Sequence, residues 1–195
     1  MFNRNFLIGV ILAPIIYFAY NAAEVWLDKP EVLPERGEEV SLLDINFIPT
    51  QMETYAPTDQ LVELSQSDTN FKKELNLSHF ADKPTIVHVW APWCGACTQE
   101  MVELDSFAKD CGSKVNLVAV GIDQQNGDGL REFYNDRGIA NLKIYQDQNG
   151  NLSKNLRAHG LPTTIFYIDG KEIGRVIGPI DWIKYKNLLK KKLGV

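Results

Sequence analysis

The run Thr85-Ile86-Val87-His88-Val89-Trp90 breaks at Ala91-Pro92-Trp93 and leads straight into Cys94-Gly95-Ala96-Cys97. Beyond it, Met101, Leu104, Phe107 and Ala108 recur at helical spacing. A β-branched apolar run predicts a buried strand over 85–90, and the periodicity predicts a helix over 95–109. Two cysteines at a strand-to-helix joint limit the chain more than any other feature. At that joint, free backbone N–H groups and the positive end of the helix dipole point at the Cys94 sulfur and favour its thiolate. Two intervening residues in a helical turn bring Cys97 within disulfide reach. Cys97, one turn inside the helix, is expected to be the less exposed thiol and to resolve a mixed disulfide.

Other uses of a C-x-x-C pair fit less well. A zinc site needs four ligands, and the chain has no second C-x-x-C and no H-x(3–5)-H pair. Haem attachment needs a histidine after the second cysteine, where Thr98 stands. No metal and no cofactor beyond the Cys94–Cys97 pair is therefore expected. With only three cysteines the chain is not a disulfide-stapled scaffold. The third, Cys111, reads either as a buried thiol at a helix end or as a regulatory or intermolecular one.

Along the rest of the chain, strands are predicted over 115–122 and 142–145, and a helix over 127–137 with Leu130, Phe133 and Tyr134 on one face and Gly138 as its stop. Asp169-Gly170 between strands at 164–168 and 172–177 is a hairpin signal. A last helix is opened by Pro179 and Asp181, with Trp182, Ile183, Tyr185, Leu188 and Leu189 facing inward. Residues 47–80 carry little pattern beyond an early strand at 60–64. The order β-α-β-α-β followed by β-β-α describes an α/β fold that starts parallel and closes antiparallel.

Residues 6–23 hold no charged side chain. Spanning a bilayer takes about 20 apolar residues, which this stretch reaches if Val25, Trp26 and Leu27 contribute. Cleavage after Ala22 or Ala23 would put Tyr20 or Asn21 where signal peptidase wants a small side chain, so a retained anchor over 1–27 fits better than a leader. Arg4 marks the cytoplasmic side. Residues 28–50, with Pro30, Pro34, Gly37 and a surplus of acids, read as an exposed linker, and 51–195 as the folded domain. A net charge of −5 and a pI near 5.2 argue against nucleic-acid binding. Lys184, Lys186, Lys190, Lys191 and Lys192 complement the dipole of the last helix.

The segment Val89-Trp90-Ala91-Pro92-Trp93-Cys94-Gly95-Ala96-Cys97 resembles the active-site segment of the thioredoxin superfamily. Glu100 and Met101, Val120-Gly121-Ile122-Asp123, Gly160-Leu161-Pro162-Thr163-Thr164, Ile168-Asp169-Gly170-Lys171-Glu172-Ile173 and Gly178 resemble its TlpA/ResA/DsbE (CcmG)-like branch of membrane-anchored thiol–disulfide oxidoreductases. The resemblance covers residues 82–193. It implies a thioredoxin-like fold, a central mixed sheet flanked by helices, with a cis Leu161–Pro162 bond facing the dithiol. It also implies client contacts at Trp93, Leu161 and Thr163, and a structural role for Trp90 beside the site.

Two positions depart from thioredoxin or modify it. His88 stands where thioredoxin has a buried carboxylate; it reads as a relay for the Cys97 proton or as a satisfied core histidine. Glu100 matches a carboxylate that tunes the dithiol in the ResA-like branch, where it would raise the thiol pKa; the alternative is a solvated glutamate in the first helical turn.

The branch implies a single-pass protein of the bacterial inner membrane with its domain in the periplasm. Such a protein takes electrons from a membrane donor and reduces disulfides of exported proteins, as in cytochrome c maturation. A disulfide oxidant or isomerase, and a chaperone-like client-binding module with a latch disulfide, are the competing readings.

Overall fold

The computed structural model describes residues 41, 45–50, 56–124 and 126–195. The expected anchor at 1–27, and the linker apart from Ser41 and residues 45–50, lie outside the described residues. Backbone contacts divide the chain into Met1–Glu39 and Val40–Val195, and the second unit is the one described. Among the described residues, no helix is long and apolar enough to cross a membrane.

The described elements run β1 (Ile48–Pro49), β2 (Leu61–Leu64), β3 (Lys72–Leu75), β4 (Thr85–Trp90), α1 (Gly95–Cys111), β5 (Asn116–Gly121), α2 (Asp128–Arg137), β6 (Ile144–Gln146), α3 (Asn151–Asn155), β7 (Thr163–Ile168), β8 (Lys171–Ile177) and α4 (Lys186–Leu193). The strands form one sheet in the order β1-β8-β7-β4-β5-β6-β2-β3. β4, β5 and β6 are parallel, and the other pairings are antiparallel. This is the mixed sheet of a thioredoxin-like fold.

Every residue of β4 is buried, as a strand with neighbours on both edges and cover on both faces requires. Its side chains alternate between two cores. Ile86 and Trp90 join Met101, Leu104 and Phe107 of α1, Leu130 and Tyr134 of α2, and Trp182 and Leu189 near the C-terminus. Val87 and Val89 join Val118, Val120, Ile165, Tyr167 and Leu152 of α3 on the opposite face. The β4-α1-β5 and β5-α2-β6 crossovers step in one direction across the sheet, so the right-handed rule puts α1 and α2 on the same face.

The hairpin forms as its sequence predicts. Asp169 and Gly170 both have positive φ, 52° and 73°, and Ile168 pairs with Lys171 across the two-residue turn. The early strand appears as β2, extended by β3, whose exposed Lys-Lys-Glu edge gives no alternation to read. The third predicted strand lies slightly later, as β6, and α3 follows Asn149-Gly150 where only a turn is expected.

Two expectations need correcting. Residues 45–50, placed in the linker by composition, belong to the folded unit. Ile45 and Phe47 are buried, the Phe47 ring packs 5.6 Å from that of Phe166, and β1 pairs with Arg175 and Gly174 of β8. The last helix starts at Lys186 rather than near Pro179; residues 182–185 form a separate turn, in which Asp181 Oδ1 accepts the Lys184 N–H at 2.7 Å and Asp181 O accepts the Tyr185 N–H at 3.1 Å. Ile183 accordingly points outward, at 67% exposure, while Trp182 and Tyr185 are buried.

A Cβ at Gly174 would overlap the Phe47 ring and lie 2.8 Å from the Ile48 carbonyl. Gly174→Ala should therefore lift β1 from the sheet edge and cost about 1–3 kcal/mol, as overpacking does. A urea melt measures the loss. Hydrogen exchange should show faster exchange at the Thr50 amide, which donates to Ile173 O, with β4 amides unchanged.

Candidate active site

Cys94 is the N-cap of α1, with extended backbone (φ −88°, ψ 106°), and its Sγ accepts the Cys97 N–H at 3.3 Å. The two cysteines form a disulfide with Cα atoms 5.3 Å apart. They are not equivalent. Cys94 is partly exposed, whereas Cys97 is fully buried against the α1-side core. Trp93, just before them, is 73% exposed and forms a large apolar surface beside the entry to the dithiol. Trp90 is buried, its ring 4.9 Å from Phe133 and 6.0 Å from Tyr134, so it serves the core beneath.

The Leu161–Pro162 bond is cis. β7 starts directly after it, with Thr163 paired to Val89, one residue short of the end of β4. That register carries the proline loop to the sheet end where β4 delivers Cys94. Leu161 is partly exposed. Thr163 is fully buried and donates its hydroxyl to Gly160 O at 2.6 Å, so its side chain braces the loop. Gly178 N–H donates to Pro162 O at 2.9 Å, tying the end of β8 to the same loop.

His88 shares the α1-facing side of β4 with Ile86 and Trp90, and Glu100 lies one turn beyond Cys97 on α1. Both are buried. His88 Nδ1 lies 2.9 Å from Thr164 Oγ1. His88 Nε2 and Glu100 Oε1 face each other at 3.7 Å, and neither has a hydrogen-bond partner among the described residues. The solvated alternative for Glu100 is excluded: its Oε2 accepts the Ile180 N–H at 2.8 Å and the Trp182 Nε1–H at 2.9 Å. Burial pushes the Glu100 carboxyl up to about 7, opposed by those two donors and aided by the charge of Glu103. Burial also pushes His88 down to about 3. A neutral imidazole and a carboxyl poised near neutrality can pass a proton, provided the gap between them closes.

Ile180 and Trp182 were not legible as site residues, because the C-terminal periodicity places them on a core helix. Ile180, with Gly178, Pro179 and Asp181, walls a groove of about 540 Å³ whose other side includes Ala96, Gln99 and Glu103 of α1, while Trp182 lies in the core behind it. Cys111 is buried at the far end of α1, and burial raises its thiol pKa. Among the described residues, no group of His, Cys, Asp and Glu is arranged to hold a metal ion.

The buried pair makes a pH prediction for the oxidised protein. Glu100 binds its proton more tightly folded than unfolded, so its contribution to stability is full below about 4.5 and is lost as pH rises through about 7. His88 does the reverse, with its contribution full above about 6.5 and lost as pH falls through about 3. Between 4.5 and 6.5 the two slopes, each about 1.4 kcal/mol per pH unit, cancel. Glu100→Gln should unmask the His88 slope, so that urea stability climbs steadily with pH across that window while the parent stays flat. Parallel curves for variant and parent would contradict the assignment.

A profile of the Redoxin family matches residues 53–177. The thiol:disulfide interchange protein DsbE of Pseudomonas fluorescens biotype C is 32% identical over 127 residues, covering 62% of this chain and 66% of that protein. A thioredoxin of Griffithsia pacifica is 27% identical over 126 residues, covering 65% and 91%. Among solved structures, a thioredoxin-family thiol:disulfide interchange protein from Chlorobium tepidum TLS superposes with a TM-score of 0.58 at 18% identity, covering 74% of this chain and 99% of that one. StoA from Bacillus subtilis does so with a TM-score of 0.51 at 22% identity, covering 68% and 99%. The structural likeness speaks to the fold and the family match to the lineage. The chain belongs to the Redoxin family and is a thioredoxin-fold disulfide oxidoreductase carrying a Cys94–Cys97 disulfide.

Proposed function

We propose that the protein is a reductase of disulfides in exported proteins, held in the bacterial inner membrane by residues 1–27 with its catalytic domain in the periplasm. The observation that carries this reading is the asymmetry of the dithiol: a reachable Cys94 at a helix N-terminus, bonded to a fully buried Cys97. In the reduced protein the Cys94 thiolate attacks a client disulfide; a Cys94–client bond forms and one client thiolate leaves. Cys97 then gives up its proton to the Glu100–His88 pair and attacks Cys94, the Cys94–client bond breaks as the second client sulfur departs as a thiolate, and the Cys94–Cys97 bond returns. A membrane electron donor restores the dithiol with two electrons and two protons. Trp93 and the Leu161 backbone at the cis Pro162 receive the client chain by strand-like pairing. Clients with paired cysteines awaiting reduction, such as apocytochrome c, suit this chemistry. The relationship to DsbE supports thiol–disulfide interchange, and the Gly95-Ala96 dipeptide favours the reducing direction.

The equilibrium potential of the pair against glutathione tests the direction. A value near or below about −230 mV is expected of a reductase, whereas one near about −120 mV would make the protein an oxidant. Cys97→Ser should accumulate a mixed disulfide with a client, and Cys94→Ser should abolish exchange. Client binding that survives loss of both cysteines would instead point to a binding module with a latch.

A further inference from the structure

Glu100 Oε2 draws both of its hydrogen bonds from segment 178–182, one from a backbone amide and one from an indole. The Ile180 N–H is present whatever side chain stands at that position, so the indole of Trp182 is the donor that depends on residue type. That ring has little freedom to turn away. Trp182 is 1% exposed, packed 5.1 Å from the Phe107 ring and edge-on to His88 at 6.1 Å. With Oε2 held in this way, Oε1 is left facing His88 Nε2. No pattern in the sequence requires tryptophan there, since an apolar residue of similar size would fill the same core space.

We propose that Trp182 is a positioning residue for thiol–disulfide exchange: its N–H fixes the Glu100 carboxylate toward His88 and sets how readily that carboxylate takes the Cys97 proton. The inference rests on Cys97 being the resolving thiol. In the step concerned, the proton moves from Cys97 Sγ to Glu100, a Cys97–Cys94 bond forms, the Cys94–client bond breaks, and the client thiolate leaves with the electron pair. The groups around Glu100 are His88 from β4, at 3.7 Å, and Glu103 from α1, whose charge bears on it; Asp181 and Tyr185 of the C-terminal segment line the same groove, and Cys97 stands one turn earlier on α1. Thr164 holds the far nitrogen of His88. Donors to a carboxylate favour its charged form, so removing the indole N–H leaves burial less opposed and makes the group harder to ionise.

The test uses the full chain in lipid nanodiscs, with the Cys94–client disulfide formed beforehand and its resolution timed from pH 5 to pH 9. Trp182→Phe should move the midpoint of the pH–rate profile up by about one unit, slowing resolution about fivefold at pH 7 and little at pH 9. Benzothienylalanine at position 182 keeps the bulk of the ring without its N–H and should give the same shift even if the phenylalanine variant packs poorly. The carboxylic acid infrared band of Glu100 should titrate with a matching displacement. In a Glu100→Gln background, Trp182→Phe should move nothing further. An unmoved midpoint, or equal slowing at every pH, would overturn the proposal. Should the parent chain exchange no disulfides, the functional reading falls, and the infrared midpoint alone decides for or against Trp182.

Discussion

A strand hydrogen-bonded on both edges and covered on both faces has no freedom to shift by one residue without turning its entire pattern inside out. β4 is under that constraint: β5 lies along one edge, β7 along the other, and its six residues are all buried. Its alternation sends Val87 and Val89 to one core and Ile86, His88 and Trp90 to the face that α1 covers. Its C-terminal end delivers Cys94 to the start of α1. Its antiparallel partner β7 begins at the cis Pro162 loop, at the same end of the sheet. The dithiol, the proline loop and the buried imidazole are thus consequences of one strand register.

The elements legible in the sequence are those whose local chemistry and tertiary setting agree. The β-branched run of β4 and the Asp169-Gly170 turn need nothing from distant parts of the chain to be read correctly. What escaped reading depends on distant partners. β1 is two residues long and contains Pro49, and it is a strand only because Gly174 of β8 leaves room for Phe47 and Ile48. β3 presents Lys72, Lys73 and Glu74 to solvent, a charged sheet edge that guards against unwanted pairing and lacks a strand's alternation. Glu100 looks like any surface glutamate near a helix start until segment 178–182 closes over it.

Burying two ionisable groups together is costly unless each finds a neutral form or a partner. Here the arrangement favours neutrality. The imidazole, with Thr164 at one nitrogen, resists protonation because the core offers no solvation. The carboxyl would be still more basic if two N–H donors did not offset part of its burial. An ion pair would require moving a proton from a group poised near 7 to one poised near 3, against the preference of both. The resting state is therefore a neutral histidine beside a carboxyl that gains or loses its proton close to neutral pH.

That placement divides the work between the two sulfurs. Cys94 caps α1 and takes a backbone N–H from Cys97, so its negative charge is supported by dipoles already in place whether or not a client is present. Cys97 has no exposed surface, and a thiolate there must be made at the moment it is used. Under the function proposed above, the need falls to Glu100, one turn away on the same helix, held at near-neutral affinity by burial on one side and two donors on the other. A surface carboxylate would ionise too readily to hold a proton at this pH, and a buried one without donors would keep it too tightly to accept another. The closing of segment 178–182 over Glu100 is what brings its affinity between those limits.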